Sequence, residues 1–207
     1  MPRLAPFAAA IAITIAAACK SLPSHAPEGR TLNETIDAEI ADDHAIVWAQ
    51  HRPLTWPDFK GRPPAEISAV AAQTDYVFVH GAQCRGAKFE FRVVAAFLPN
   101  DSWVKPAMLR TPADSARALR HEQTHFDLTE VHARQLRRYY AELIAPCRIE
   151  SGDLSAAASR IGRDEKAAQT QYDAETDNGR ATAQQTRWDR EIASQLVALA
   201  KYAAPAK

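Results

Sequence analysis

The chain reads as an α+β protein, a small β-rich half followed by helices. Three observations carry this. Residues 88–98 alternate, with Phe89, Phe91, Val93, Ala95 and Phe97 on one face and Lys88, Glu90 and Arg92 on the other. No Gly or Pro interrupts residues 113–145, long enough for one continuous helix. Beyond Gly152 two further stretches keep helical spacing. With 46% hydrophobic and 24% charged residues the composition is that of a globular protein. The formal net charge of zero leaves no global field to attract nucleic acid.

The first 18 residues form a targeting segment. Arg3 precedes Leu4 to Ala18, a run of Ala, Ile, Leu, Phe and Thr broken only by Pro6. It is too short to span a membrane and has the length of a secretory h-region. Its end has two readings. Ala16 to Ala18 fit a cleavage site, or Cys19 becomes the lipid-modified first residue of a mature lipoprotein, although Ala16 stands where Leu is usual. Both place the mature protein outside the cytoplasm, periplasmic or secreted, in the second case tethered to a membrane through Cys19. Three cysteines are present, Cys19, Cys84 and Cys147. Removing or lipidating Cys19 leaves one pair in an oxidising compartment, which predicts a Cys84–Cys147 disulfide.

Residues 19–30 read as a tether into a single domain, 31–207. Residues 31–43 suit either a short helix or an edge strand. Prolines and Gly61 break residues 52–64 too often for a regular element, with Trp56 and Phe59 as packing anchors. A strand ends in Tyr76-Val77-Phe78-Val79-His80-Gly81. A loop from Gly81 to Gly86 then joins it to the strand at 88–98 as a hairpin. Pro99 to Ser102 turn the chain, and Trp103-Val104 form a short strand or anchor. Thr111, Pro112 and Asp114 start a helix that runs from about 112 to 145, since Thr can cap, Pro suits the first position and an acid suits the dipole. A second helix covers about 153–171. A polar break from Asp173 to Gly179 follows, then an amphipathic helix with Trp188, Ile192, Leu196 and Leu199 on one face.

The long helix carries His121-Glu122-Gln123-Thr124-His125, an H-E-x-x-H motif. Histidines four apart share a helix face and reach one zinc ion, while the intervening glutamate acts as a base on water. The motif predicts a zincin-like arrangement, a small antiparallel sheet packed on the motif helix. A catalytic zinc takes a third protein ligand. His132 lies about 10 Å beyond His125 along a straight helix, at about 1.5 Å per residue, and is expected to be a packed core histidine. Asp127 and Glu130 point away from the ligand face. The third ligand is therefore expected from Tyr172-Asp173-Ala174-Glu175-Thr176-Asp177-Asn178-Gly179. There Asp173 or Glu175 could complete the site and Tyr172 could donate to a developing oxyanion.

The chain resembles a bacterial family of predicted secreted zinc-dependent proteases, long a domain of unknown function. The resemblance rests on Leu54-Thr55-Trp56-Pro57-Asp58-Phe59-Lys60-Gly61, Ser102-Trp103-Val104, and His121 to Asp127 with Glu130, Ala133 and Arg134. Tyr172-Asp173, Glu175-Thr176, Gly179, Gln185 and Trp188 complete it. It implies metal binding by His121 and His125 with Glu122 as base. In that family's pattern a histidine often precedes the last glycine; here Asn178 occupies the position, which favours Asp173 as third ligand. The resulting expectation is an exported zinc metallopeptidase acting on a peptide or protein. The alternatives are a zinc-dependent amidase acting on cell-wall material and a non-catalytic module with a degenerate site, the reading to which Asn178 points.

Overall fold

The computed structural model describes residues 18–21, 30–65 and 70–204, the first of these stretches as backbone only. The expected targeting segment, but for Ala18, lies outside the described residues, as do 22–29 of the expected tether. That tether nevertheless begins in a regular element: Ala18–Ser21 (β1) runs parallel to the later strand Tyr76–Arg85 (β4), with Cys19 in register with Phe78.

Leu32–Asp42 (α1) resolves the helix-or-strand alternative in favour of a helix. Its reason is a capping box: Thr31 Oγ1 accepts from Glu34 N at 3.2 Å, and the Glu34 carboxylate accepts from Thr31 N at 2.7 Å. Ile46–Val47 (β2) follows. Proline-rich residues 52–64 stay irregular apart from a 3₁₀ turn at Trp56–Asp58. Here Trp56 and Phe59 anchor as expected, Phe59 lying 4.9 Å from Trp56 and 5.0 Å from Phe97, ring to ring.

Ala72–Gln73 (β3) and Trp103–Val104 (β6) form a two-stranded antiparallel sheet. The main sheet has the order β1-β4-β5-β2, where β5 is Lys88–Phe97. The β4–β5 hairpin is longer than predicted, because β4 continues through Gly81 to Arg85 and the turn shrinks to Gly86 and Ala87. Gly86 supplies the positive φ that so short a turn requires. The sheet is mixed rather than wholly antiparallel, since β1 runs parallel to β4.

Period-two alternation gives this hairpin two apolar faces. Val77, Val79, Val94 and Ala96 pack on Leu32 and Ile36 of α1. Phe78, Val93, Ala95 and Phe97 pack on Phe126, Ala133 and Leu136 of the long helix, Pro112–Ala141 (α2). Each Val, Leu, Ile or Phe buried in this way contributes about 1.5–3 kcal/mol. Beyond α2 lie Ser151–Thr176 (α3) and Thr182–Ala198 (α4), closed by Leu128, Val131, Tyr172, Ile192 and Leu199. The Cys84–Cys147 disulfide joins the hairpin tip to the α2–α3 connection, with Cα atoms 5.7 Å apart. No described helix is long and apolar enough to cross a membrane.

The helix bounds correct two expectations. α2 stops at Ala141 rather than near 145. More consequentially, α3 does not end at 171. It runs to Thr176, so Tyr172 and Asp173 are helical residues and not part of a loop. The break spans Asp177 to Ala181, and Asp177, Asn178 and Gly179 within it have positive φ.

Candidate metal centre

The site is built where α2 and α3 face each other antiparallel. Four residues forward along α2 meet four back along α3, pairing His121 with Asp173, His125 with Gln169 and Thr129 with Glu165. Because i and i+4 lie on one face of each helix, both helices present a polar stripe to a common seam.

Three donor atoms converge at one end of that seam. Asp173 Oδ1 lies 3.1 Å from His121 Nε2 and 3.0 Å from His125 Nε2, and the two Nε2 atoms are 3.2 Å apart. Tetrahedral zinc with ligand bonds of about 2.0–2.1 Å has ligand atoms roughly 3.3 Å apart. The triangle is thus within a few tenths of an ångström of a zinc polyhedron's face. The donor set, two imidazoles and one carboxylate, is one that zinc accepts with a fourth position left for water or substrate. His121, His125 and Asp173 are the group of His, Cys, Asp or Glu side chains that could hold a metal ion among the described residues.

The imidazoles are held from behind by glutamine amides. Gln169 Nε2 donates to the Glu165 carboxylate at 2.8 Å and the His125 carbonyl at 3.0 Å, so its Oε1 is turned to accept from His125 Nδ1 at 2.7 Å. Gln185 Nε2 donates to Asp189 Oδ1 at 2.7 Å, so its Oε1 accepts from His121 Nδ1 at 3.1 Å. Each Nδ1 therefore carries the hydrogen, and each Nε2 lone pair points at the other and at the Asp173 carboxylate. Three facing lone pairs repel unless a positive charge sits among them. Burial alone would push the His125 imidazole down, but the Asp173 carboxylate overrides this and raises it to about 9. Burial likewise favours a neutral Asp173, but the charge and hydrogen bonds of His125 and His121 hold it well below the usual carboxylate range.

Glu122 is buried at 4% exposure and turns to the sheet side of α2. Its Oε2 accepts from Thr74 Oγ1 at 2.8 Å. Burial, with the Asp101 and Glu122 carboxylates adding and Gln73 opposing, pushes neighbouring Asp75 up to about 6.

Tyr172 takes a different place from the one expected. Its ring stacks on His121 at 4.7 Å and meets His125 edge-on at 4.8 Å, while its hydroxyl points to Gln185 Oε1 at 2.8 Å and the His121 carbonyl at 3.2 Å. It is buried packing beneath His121 and His125, because its helical position one residue before Asp173 turns it toward α4 rather than outward. Glu175 also lies apart, bound to Trp188 Nε1 at 2.9 Å and to Arg187. Asn178 is exposed in the turn. His132 is the packed histidine expected, its Nδ1 2.9 Å from the Leu128 carbonyl. Glu130 pairs with Arg134 and Arg137 at 2.8 and 2.7 Å, and Asp127 accepts from Trp48 Nε1 at 2.7 Å.

Sequence reasoning missed Gln169, Glu165 and Thr74, and met Gln185 only through the family resemblance. The signal for the first two was the four-residue spacing of Glu165, Gln169 and Asp173, which matches His121, His125 and Thr129. Gly179 is required by close approach: a Cβ there would lie 2.9 Å from His121 Cβ, and its φ is +79°. This tight turn lets α4 return across His121 and deliver Gln185.

No curated protein and no solved structure matches the chain. One family model does, over residues 58–181, more than half of the chain and the stretch that holds Glu122, all three converging donors and Gly179. The chain belongs to DUF922, a family of bacterial proteins of unknown function.

Proposed function

We propose that this protein is a zincin-like zinc hydrolase that works outside the cytoplasm and cleaves an amide, in the first place a peptide bond. The observation that carries this is the convergence of His121 Nε2, His125 Nε2 and Asp173 Oδ1 at spacings of 3.0–3.2 Å, with both Nδ1 atoms committed to glutamine carbonyls. Such a site is arranged for a cation before any cation arrives.

Zinc held there supplies Lewis acidity, polarising a carbonyl oxygen and acidifying water. The protein's own residues supply the rest. His121, His125 and Asp173 fix the position; Gln185 and Gln169 hold the tautomers that leave Nε2 free to bind. Glu122, between the two histidine ligands in sequence and oriented by Thr74, takes a proton from water and returns it to the leaving amine. The non-catalytic reading drew its support from Asn178. Asp173 removes that support, because it gives the site a third donor without any contribution from position 178. An extracytoplasmic setting is supported by the Cys84–Cys147 disulfide, which persists in oxidising compartments.

Two measurements test the proposal. The purified mature protein is analysed for bound metal at neutral pH, with one zinc per chain expected. Wild type and Glu122→Gln are then compared on a mixed peptide library, with zinc content unchanged and cleavage lost in the variant. A folded protein that binds no zinc sinks the proposal, as does cleavage unaffected by Glu122→Gln.

A further inference from the structure

α2 and α4 enclose a groove of about 250 Å³, on a face of α2 other than the one that carries His121 and His125. That is below the roughly 300–1,000 Å³ of pockets for drug-sized ligands and suits a single side chain. One wall is apolar. Ile192, Ala193 and Leu196 of α4 form it. They span about 6 Å along the helix, at about 1.5 Å per residue, which accommodates a short alkyl stem. Ile192 is buried and Ala193 exposed, so this wall runs from the floor of the groove to its rim.

The α2 wall is polar and carries one unanswered charge. The Asp127 carboxylate receives two hydrogen bonds, from Trp48 Nε1 and Gln123 Nε2, each at 2.7 Å. Both donors are neutral, and both meet Oδ1. Among the described residues Oδ2 has no hydrogen bond and the carboxylate no ion pair. The other carboxylate of the groove is fully engaged. Asp189 Oδ1 accepts from Thr124 Oγ1 at 2.9 Å and from Gln185 Nε2 at 2.7 Å, and its Oδ2 accepts from Arg120 Nε. The guanidinium groups beside the groove are committed as well. Arg120 also donates to Thr186, while Arg134, over the Trp48 ring, donates to Glu130 and to the Leu196 carbonyl. Arg120 offsets Asp189, so the groove keeps the negative charge of Asp127.

We propose that this groove binds an alkylammonium ion of the lysine type, with its ammonium on Asp127 Oδ2 and its stem against Ile192 and Leu196. An ammonium is a compact donor that one free carboxylate oxygen can receive. A guanidinium calls for a bidentate partner, which Oδ1, already holding two hydrogen bonds, does not supply. The proposal stands apart from the metal reading and uses none of the three converging donors. Asp189 joins the two places, since it lines the groove and holds the Gln185 amide behind His121.

The test uses the full mature protein in the presence of chelator at neutral pH. The probe is n-butylamine, with n-butanol as its uncharged counterpart and n-butylguanidine as its bidentate one. Binding is read in proton–nitrogen NMR spectra from the Trp48 indole N–H, which bonds Asp127 directly, and from the Thr124, Ile192 and Ala193 amides. Butylamine is expected to bind at least about tenfold more tightly than butanol, the difference made by a hydrogen bond to a charged group. Asp127→Asn keeps an oxygen for Trp48 and Gln123 and should remove that difference. Ala193→Phe, a change at an exposed position, should close the groove and abolish the amine-induced shifts while Asp127 and its Trp48 signal stay in place. Equal affinity for amine and alcohol overturns the proposal, as does amine binding that survives Asp127→Asn or Ala193→Phe. Tighter binding of butylguanidine than of butylamine overturns the choice of an ammonium. None of these outcomes depends on whether the protein takes up zinc.

Discussion

Asp173 Oδ1 lies 3.1 Å from His121 Nε2, although 52 positions separate the two residues in sequence. The contact exists because α3 continues through Asp173 and runs antiparallel to α2, so the same four-residue step operates on both helices. One carboxylate so placed meets both imidazoles of the motif. Its negative charge faces both Nε2 atoms, which two imidazoles alone could not provide for each other.

Asp173 should therefore dominate metal affinity. Asp173→Ala is expected to weaken zinc binding at least about hundredfold, beyond the 10–100-fold typical of losing an outer hydrogen-bond partner. Competition against a chromophoric chelator reads this directly. Affinity within a factor of two of wild type would show that Asp173 is not a ligand.

The glutamines make a second claim. Gln169→Leu removes the acceptor at His125 Nδ1 and frees the ring to rotate or change tautomer. Zinc affinity should fall about 10–100-fold with Glu122, His121, His125 and Asp173 all intact. Gln185→Leu should act similarly through His121. Far-UV circular dichroism controls for folding, and well-folded variants with unaltered affinity would reduce both amides to filler.

Gly179 tests how tightly the turn is built. Alanine there would occupy a left-handed backbone position, at about 1–2 kcal/mol, and its Cβ would press on the His121 side chain at 2.9 Å. Gly179→Ala should lower stability by about 1–3 kcal/mol in denaturant and weaken zinc binding as well, because His121 must give way. Destabilisation without any effect on zinc would place the strain elsewhere than on His121.

The parts of this architecture that could be read beforehand are those set by local chemistry. Alternation of Phe89 to Phe97 identified the hairpin face, the uninterrupted run from Pro112 identified α2, and the cysteine count identified the Cys84–Cys147 bond. The convergence of His121 and His125 on one helix face followed from helical spacing alone. The end of α3 did not, because Asp173, Glu175 and Asp177 look like a loop when their partners are unknown. Asp173 is made tolerable inside a helix by two imidazoles from another helix, and Glu175 by Trp188 and Arg187 of α4. Tertiary partners overrode composition there, and Tyr172 followed Asp173 into the helix and away from the role expected of it.

The last prediction concerns pH and sits away from the three converging donors. His80, on the same face of β4 as Tyr76 and Phe78, is buried, and its Nε2 has no partner among the described residues. Burial pushes its imidazole down to about 4 from an ordinary 6.5. The unfolded chain then binds the proton more readily than the folded one. Its contribution to stability is complete above pH 6.5 and is lost as pH falls through 4, by roughly 3 kcal/mol for a shift of this size. Glu165 and Asp75, raised by burial to about 7 and 6, act in the opposite sense, since protonating them as pH falls favours the fold. Comparing wild type with His80→Phe in the presence of chelator isolates the histidine from those two acids. The variant should keep a ring in the same cavity and lose less stability between pH 6.5 and 4, by up to about 3 kcal/mol. Parallel stability curves for the two proteins across that window would mean that His80 takes up its proton without unfolding anything, and that its burial is not maintained in solution.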